Sequence, residues 1–216
     1  MLQFITQIYP LKIYTYCKKG TFGMDSKKKC AKIIRTVTVA PVMAGVLLTA
    51  LFLLKPEVFG RPLNYGCGIM FLTVLPILAY PLQKFMPGYK NEGREGQRNL
   101  AMAFAVGGYI LGCAVTLFLN APSSMWIIYL EYLCSGILIA LVNKVFHFKA
   151  SGHACGVTGP VALLFFFGVP VLFPGIVFLA LTWWASLYIK RHTIAQLAGG
   201  CAIPVLVLFM LHFIFR

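Results

Sequence analysis

Runs of apolar residues recur at about 36–54, 65–82, 99–119, 124–144, 156–173, 175–190 and 193–214. A hydrocarbon core about 30 Å thick takes a helix of roughly 20 residues. Backbone groups in lipid must find partners within their own segment, so each run is predicted to be a helix. The fifth and sixth are short, since 16–18 residues rise only about 24–27 Å. They are expected to pair as a tight hairpin around Pro174-Gly175. The predicted fold is an all-α, multi-pass transmembrane helical bundle of six or seven spans. No repeat or linker divides it, so 36–216 reads as one transmembrane domain behind a basic segment, 1–35. Gly108 and Gly112, like Gly152 and Gly156, have the spacing of close helix contacts and are read as packing.

Composition agrees with the pattern. Of 216 residues 60% are apolar and 11% charged, against roughly 45–50% and about 25% in globular proteins. Asp occurs once, as Asp25, which sets aside membrane enzymes that hold Mg²⁺ between paired aspartates. The seven cysteines fall mostly inside apolar runs, with no CxxC or Cys/His spacing, so neither a zinc site nor a disulfide framework is expected.

Charge supplies the orientation. Seven spans put the N-terminus and loops 83–98, 145–155 and 190–192 on one side. That side carries 16 Lys/Arg, and the other carries Lys55, Arg61 and Arg216. The excess makes the N-terminal side cytoplasmic, and the chain is expected to be an integral protein of the cell membrane. Met24 opens a sequence that reads as a start, so residues 1–23 are expected to be an interfacial tail or an upstream start-site artefact.

The unusual polar residues gather on that same face. Lys90-Asn-Glu-Gly-Arg94-Glu-Gly-Gln-Arg98 leads into the third run and Lys149-Ala-Ser151-Gly152-His153 into the fifth. Ser186 to Gln196, through Lys190-Arg191-His192-Thr193, leads into the seventh. Two crossings separate each group from the next, so all three return to one side. Helix N-termini there favour an anion, and the nearby acids are Glu92 and Glu95. Two histidines in a cationic cradle point to covalent phosphoryl transfer, one attacking phosphorus and the other protonating the leaving oxygen. Arginines match the planar geometry of phosphate oxygens.

These residues resemble the type-2 phosphatidic acid phosphatase and haloperoxidase superfamily, with motifs K-x6-R-P, P-S-G-H and S-R-x5-H-x3-D. Ser151-Gly152-His153 is similar to the core of the second motif, with Ala150 in place of Pro. His192 stands for the third-motif histidine, and Arg98 for the arginine of the first, followed by Asn99. The resemblance covers roughly 65–214. It implies a metal-independent phosphatase, with no cofactor, that hydrolyses a lipid phosphate or a polyprenyl diphosphate through a phosphohistidine. His192 would be the nucleophile, and His153 the general acid and then the base for water. Arg98, Arg94, Lys149 and Arg191 would hold the phosphoryl group, with Ser151 and the Gly152 N–H assisting. The partner implied is a phosphorylated lipid in the bilayer, not a nucleic acid.

Departures from the motifs shape the expectations. Ala185-Ser186 stands where the family has Ser-Arg, so a phosphate-binding arginine is missing, and Lys190 or Arg191 would replace its charge. Gln196 replaces the aspartate that orients the histidine; as an (i, i+4) neighbour its amide oxygen can still accept from His192. Lys90 stands one position too early for the first-motif lysine, which makes Arg94 the better second cation. Slower turnover is expected, or a non-catalytic member that binds anionic lipid headgroups. A small transporter is disfavoured because cations do not continue through the spans. His147 and His212 are read as structural or snorkelling, and Glu131 as a costly intramembrane carboxylate that is functional, protonated or snorkelled.

Overall fold

A computed structural model describes residues 26–216. Among these are α1 (Ser26–Val37), α2 (Ala40–Leu54), α3 (Pro62–Gly68), a π-helical stretch (Ile69–Val74) and α4 (Leu75–Leu82). There follow α5 (Gly93–Phe118), α6 (Ser123–Lys144), α7 (Gly152–Phe166), α8 (Leu172–Tyr188) and α9 (Ile194–Ile214), with no strand among the described residues. The fold is an all-α bundle. The expected tail at 1–23 and Met24 lie outside the described residues, and the boundary drawn at residue 36 falls inside α1.

All seven apolar runs are helical, the second as the continuous segment Pro62–Phe85. Four segments are long and apolar enough to cross a membrane, or five if α1 and α2 count as one bent span. These make the chain an integral membrane protein. At 15 and 17 residues, α7 and α8 are apolar but short. The expected six or seven spans therefore exist as helices, but not all as full-length crossings. Their hairpin also turns elsewhere than expected. Gly168 adopts φ 77°, a left-handed conformation that suits a residue without a Cβ, and Pro170 precedes the start of α8. Pro174 sits within the first turn of α8, where a missing N–H leaves no bond unmade.

Between α1 and α2 the axis bends by 59°. Pro41, at the start of α2, cannot donate to Val37, and its ring would clash with that carbonyl, so one helix cannot continue through this point. The bend leaves the last carbonyls of α1 in need of other donors. Ile34 O is met by the Thr38 N–H at 2.9 Å and the Thr38 hydroxyl at 2.7 Å. Arg35 O finds its donor elsewhere, in the site described below.

The bundle is organised around α7, which packs against α2, α8 and α9 and, more lightly, α6. Small residues permit these contacts. A Cβ on Gly156 would lie 2.7 Å from that of Ala40 on α2, and one on Gly159 would lie 2.9 Å from Oε1 of Glu131 on α6. Glu131 is buried within the bundle, where the Ser135 hydroxyl donates to it at 3.0 Å. Toward the other end of α7, Leu47, Leu51, Phe59, Ile128, Tyr129 and Leu163 form a dense core. Large apolar side chains such as Phe118 and Phe173 face outward, as lipid-facing positions do in a membrane bundle.

Neighbouring glycines on α5 test this packing. A Cβ at Gly108 would lie 2.4 Å from the Phe71 carbonyl oxygen, whereas one at Gly107 meets nothing within 4 Å. Gly108→Ala is expected to destabilise the protein by about 1–3 kcal/mol through overpacking. Gly107→Ala is expected to be neutral, or to stabilise by up to about 1 kcal/mol from helix propensity. Thermal unfolding in detergent measures both.

Candidate functional site

The connection between α8 and α9 is built by two capping devices in series. At the end of α8 the Lys190 N–H donates to Leu187 O at 2.9 Å and the Arg191 N–H to Ser186 O at 3.0 Å. This is the Schellman arrangement, with Lys190 at φ 54° in the left-handed position that glycine usually takes. Two residues later α9 begins with a capping box. Thr193 Oγ1 accepts from the Gln196 N–H at 3.3 Å, and Gln196 Oε1 accepts from the Thr193 N–H at 3.2 Å. Arg191 and His192 are thus held on a short, doubly anchored link.

His192 sits before the N-cap, not on the helix. Its Nδ1 meets Gln196 Oε1 at 3.2 Å. That oxygen already accepts from a backbone N–H, so it is the carbonyl end of the amide, and His192 Nδ1 carries the hydrogen. Nε2 is left with its lone pair. The expected His192–Gln196 pair is present, and its geometry comes from the capping box and not from an (i, i+4) helical face.

The start of α7 lies against the start of α9. The Ser151 N–H donates to Gln196 O at 2.9 Å, and Gly200 makes room, since a Cβ there would lie 2.4 Å from Ser151 O. Ser151 is fully buried, and its hydroxyl caps α7 by accepting from the Ala154 N–H at 3.3 Å. The hydroxyl expected to assist phosphate binding therefore has a helix-capping partner. Gly152 follows it, exposed. His153 Nε2 lies 3.0 Å from Arg35 O. A carbonyl only accepts, so the ring proton resides on Nε2. The two imidazoles lie within electrostatic reach of each other.

Arg35 is the residue that sequence reasoning treated only as a topology signal. α1 docks on α8, and the half-buried Arg35 guanidinium donates to Ser186 Oγ at 2.8 Å. It is in electrostatic contact with Arg191 and His192. A cleft of about 700 Å³ opens among Lys32, Arg35, Gln97, His153 and Arg191. A second cavity of about 260 Å³ shares Val39, Tyr80 and His153 with it and runs inward to Tyr109, Glu131 and Tyr132.

The remaining expected cations are placed differently. Arg98 is largely exposed, 3.9 Å from Glu95, and lies on the rim of the second cavity; its neighbour Gln97 lines the cleft. Lys149 is exposed, at φ 53°, and lines neither cavity. Arg94 lies in the first turn of α5, and its side chain is outside the described residues. Among the described residues no three His, Cys, Asp or Glu side chains come together as metal ligands.

Burial, foremost, lowers the pKa of His192; the Gln196 contact opposes this, while the positive charges of Arg35 and Arg191 add to it. A base whose pKa falls on folding is protonated first in the unfolded chain, so its contribution to stability is present above about pH 6.5 and is lost as pH falls below that value. The melting temperature is expected to fall below about pH 6.5, and less steeply in His192→Asn. Gln196→Glu, which sets a carboxylate against Nδ1, should move the titration of His192 to higher pH. Site-resolved reactivity toward diethyl pyrocarbonate as a function of pH measures the shift.

Comparison of the chain with protein-family models, with curated proteins and with solved structures finds no match.

Proposed function

We propose that this protein is a metal-independent membrane phosphatase that hydrolyses a lipid phosphate or polyprenyl diphosphate through a phosphohistidine. The observation that carries this reading is a cationic cleft lined by His153 and Arg191, with His192 next in the chain after Arg191. His192 is hydrogen-bonded through Nδ1, and His153 is within electrostatic reach. In the reaction the Nε2 lone pair of His192 attacks phosphorus and the bond to the leaving oxygen breaks. The arriving phosphate dianion offsets the surrounding positive charge and allows His153 to take up a proton, which it passes to the leaving oxygen. A water deprotonated by His153 then cleaves the phosphohistidine and releases phosphate. Gln196 keeps the attacking ring in one tautomer, and Arg191 supplies charge to the developing oxyanion. The resemblance to the lipid phosphatase superfamily supports the substrate class. The cation asymmetry of the loops supports an orientation with this face in the cytoplasm.

A second reading is a non-catalytic protein that binds anionic lipid headgroups. It is favoured by Ser186 in the position of a motif arginine, and by the exposure of Arg98 and Lys149.

The two readings part on turnover. Detergent-solubilised protein in EDTA is expected to release phosphate from at least one member of a panel of phosphatidate, lysophosphatidate and polyprenyl diphosphates. His192→Ala is expected to abolish release, and His153→Ala to lower kcat by about 10²–10⁴-fold. Headgroup binding with no release from any of the panel would establish the second reading. Activity that needs a divalent metal, or that survives in His192→Ala, would refute the first.

A further inference from the structure

We infer that Arg35, carried into the site by α1, is the guanidinium that grips the transferred phosphoryl group, standing in space for the arginine that position 186 of α8 lacks. The inference takes the cleft to be the phosphoryl site of the phosphatase reading, and adds to it a residue outside the stretch where the family resemblance lies.

Four observations converge on this residue. Arg35 is half-buried, and its side-chain hydrogen bond is to a neutral hydroxyl, Ser186 Oγ at 2.8 Å. A guanidinium has five N–H donors in a fixed fork, so one such contact leaves most of its capacity unspent. Among the described residues no carboxylate lies within ion-pair distance of it; the acidic partners there are Glu57 for Lys55 and Glu95 for Arg98. Its charged neighbour is instead another cation, Arg191. The half-buried Arg35 and the exposed Arg191 line one cleft and repel each other, with no carboxylate within ion-pair distance of Arg35 among the described residues. An anion between them relieves that repulsion.

The backbone of the same residue is the third observation. Arg35 O takes the His153 Nε2–H at 3.0 Å, so one residue fixes the ring that handles the leaving-group proton and presents the cation that would hold the phosphoryl oxygens. The fourth is the fit at α8. Ala185 and Ser186 are fully buried, and it is the small side chain at 186 that lets the guanidinium of α1 settle there. A longer residue at 186 would occupy the space Arg35 fills. Bidentate contact with two oxygens of a tetrahedral anion then follows from the fork geometry. Phosphate monoesters and diphosphates present those oxygens alike.

The test uses the full chain in detergent, with Arg35→Gln, Arg35→Lys and the double variant Arg35→Gln/Ser186→Arg. Two readouts are taken: turnover of the lipid phosphate panel, and protection of His192 by inorganic phosphate against diethyl pyrocarbonate, resolved by peptide mass. Arg35→Gln is expected to lower kcat/KM at least about 100-fold and to abolish protection. Arg35→Lys should recover only part of both, and the double variant should recover at least tenfold over Arg35→Gln. Turnover in Arg35→Gln within about threefold of wild type, with His192→Ala inactive, overturns the inference and leaves the phosphatase reading standing. If Arg35→Gln fails to give a monodisperse protein, Arg35→Lys decides, since wild-type turnover there removes the need for a guanidinium. If the wild type turns over none of the panel, the phosphatase reading fails and protection alone decides. Phosphate shielding His192 in wild type but not in Arg35→Gln upholds the inference, and equal shielding, or none in wild type, overturns it.

Discussion

The site depends on one close approach between two helix starts. The Ser151 N–H and Gln196 O are 2.9 Å apart, and Gly200 carries no side chain that would hold them apart. That single backbone bond sets the first turn of α7 against the first turn of α9, and with them His153 and His192. The capping groups on each side reinforce it. Ser151 spends its hydroxyl on α7, and Thr193 and Gln196 close on each other at α9. The residues that fix the positions of His153 and His192 are therefore helix-terminating groups, whose orphan donors and acceptors must be satisfied in any case. Side chains on such termini are held in place without further scaffolding.

Most of the architecture was legible in the apolar pattern. The seven runs and the all-helical class follow from the demand that backbone groups in lipid be satisfied locally. What pattern alone misjudged was punctuation. Pro174-Gly175 reads as a turn, yet a proline in the first turn of a helix leaves no hydrogen bond unmade, and the chain reverses instead at Gly168. Within the site, His192 and Gln196 were legible as partners. The Thr193-x-x-Gln196 signature of a capping box was equally open to inspection, and would have placed His192 ahead of the helix. Arg35 was not legible. It lies among lysines at a helix end, where a topology signal is the ordinary reading, and only the docking of α1 on α8 brings it to Ser186. No local signal encodes a contact between residues 151 positions apart.

Charge in this protein is distributed by depth. Lys149 and Arg98 stay exposed at the bundle surface, where water screens them and their attraction for any one anion is modest. Arg35 and Arg191 both line the cleft, but Arg191 is exposed too. Of these four cations Arg35 is the half-buried one, where fewer water dipoles compete and each contact with an anion is stronger. Sequence position could rank these cations only by their distance from the motif histidines. Burial ranks them by the field each projects, and the order changes accordingly.

The bend at Pro41 has a consequence for how the protein comes into being. It sets α1 against α8, beside a cleft whose other walls come from α2, α4, α5, α7 and the α8–α9 link, so the first described helix waits on later ones. During synthesis the chain emerges from its N-terminus, and most of it must be inserted before Arg35, His153 and Arg191 share one cleft. A nascent chain thus holds Arg35 long before the residues that close the cleft around it. The cleft takes shape only once the α8–α9 link has followed α1 by about 150 residues.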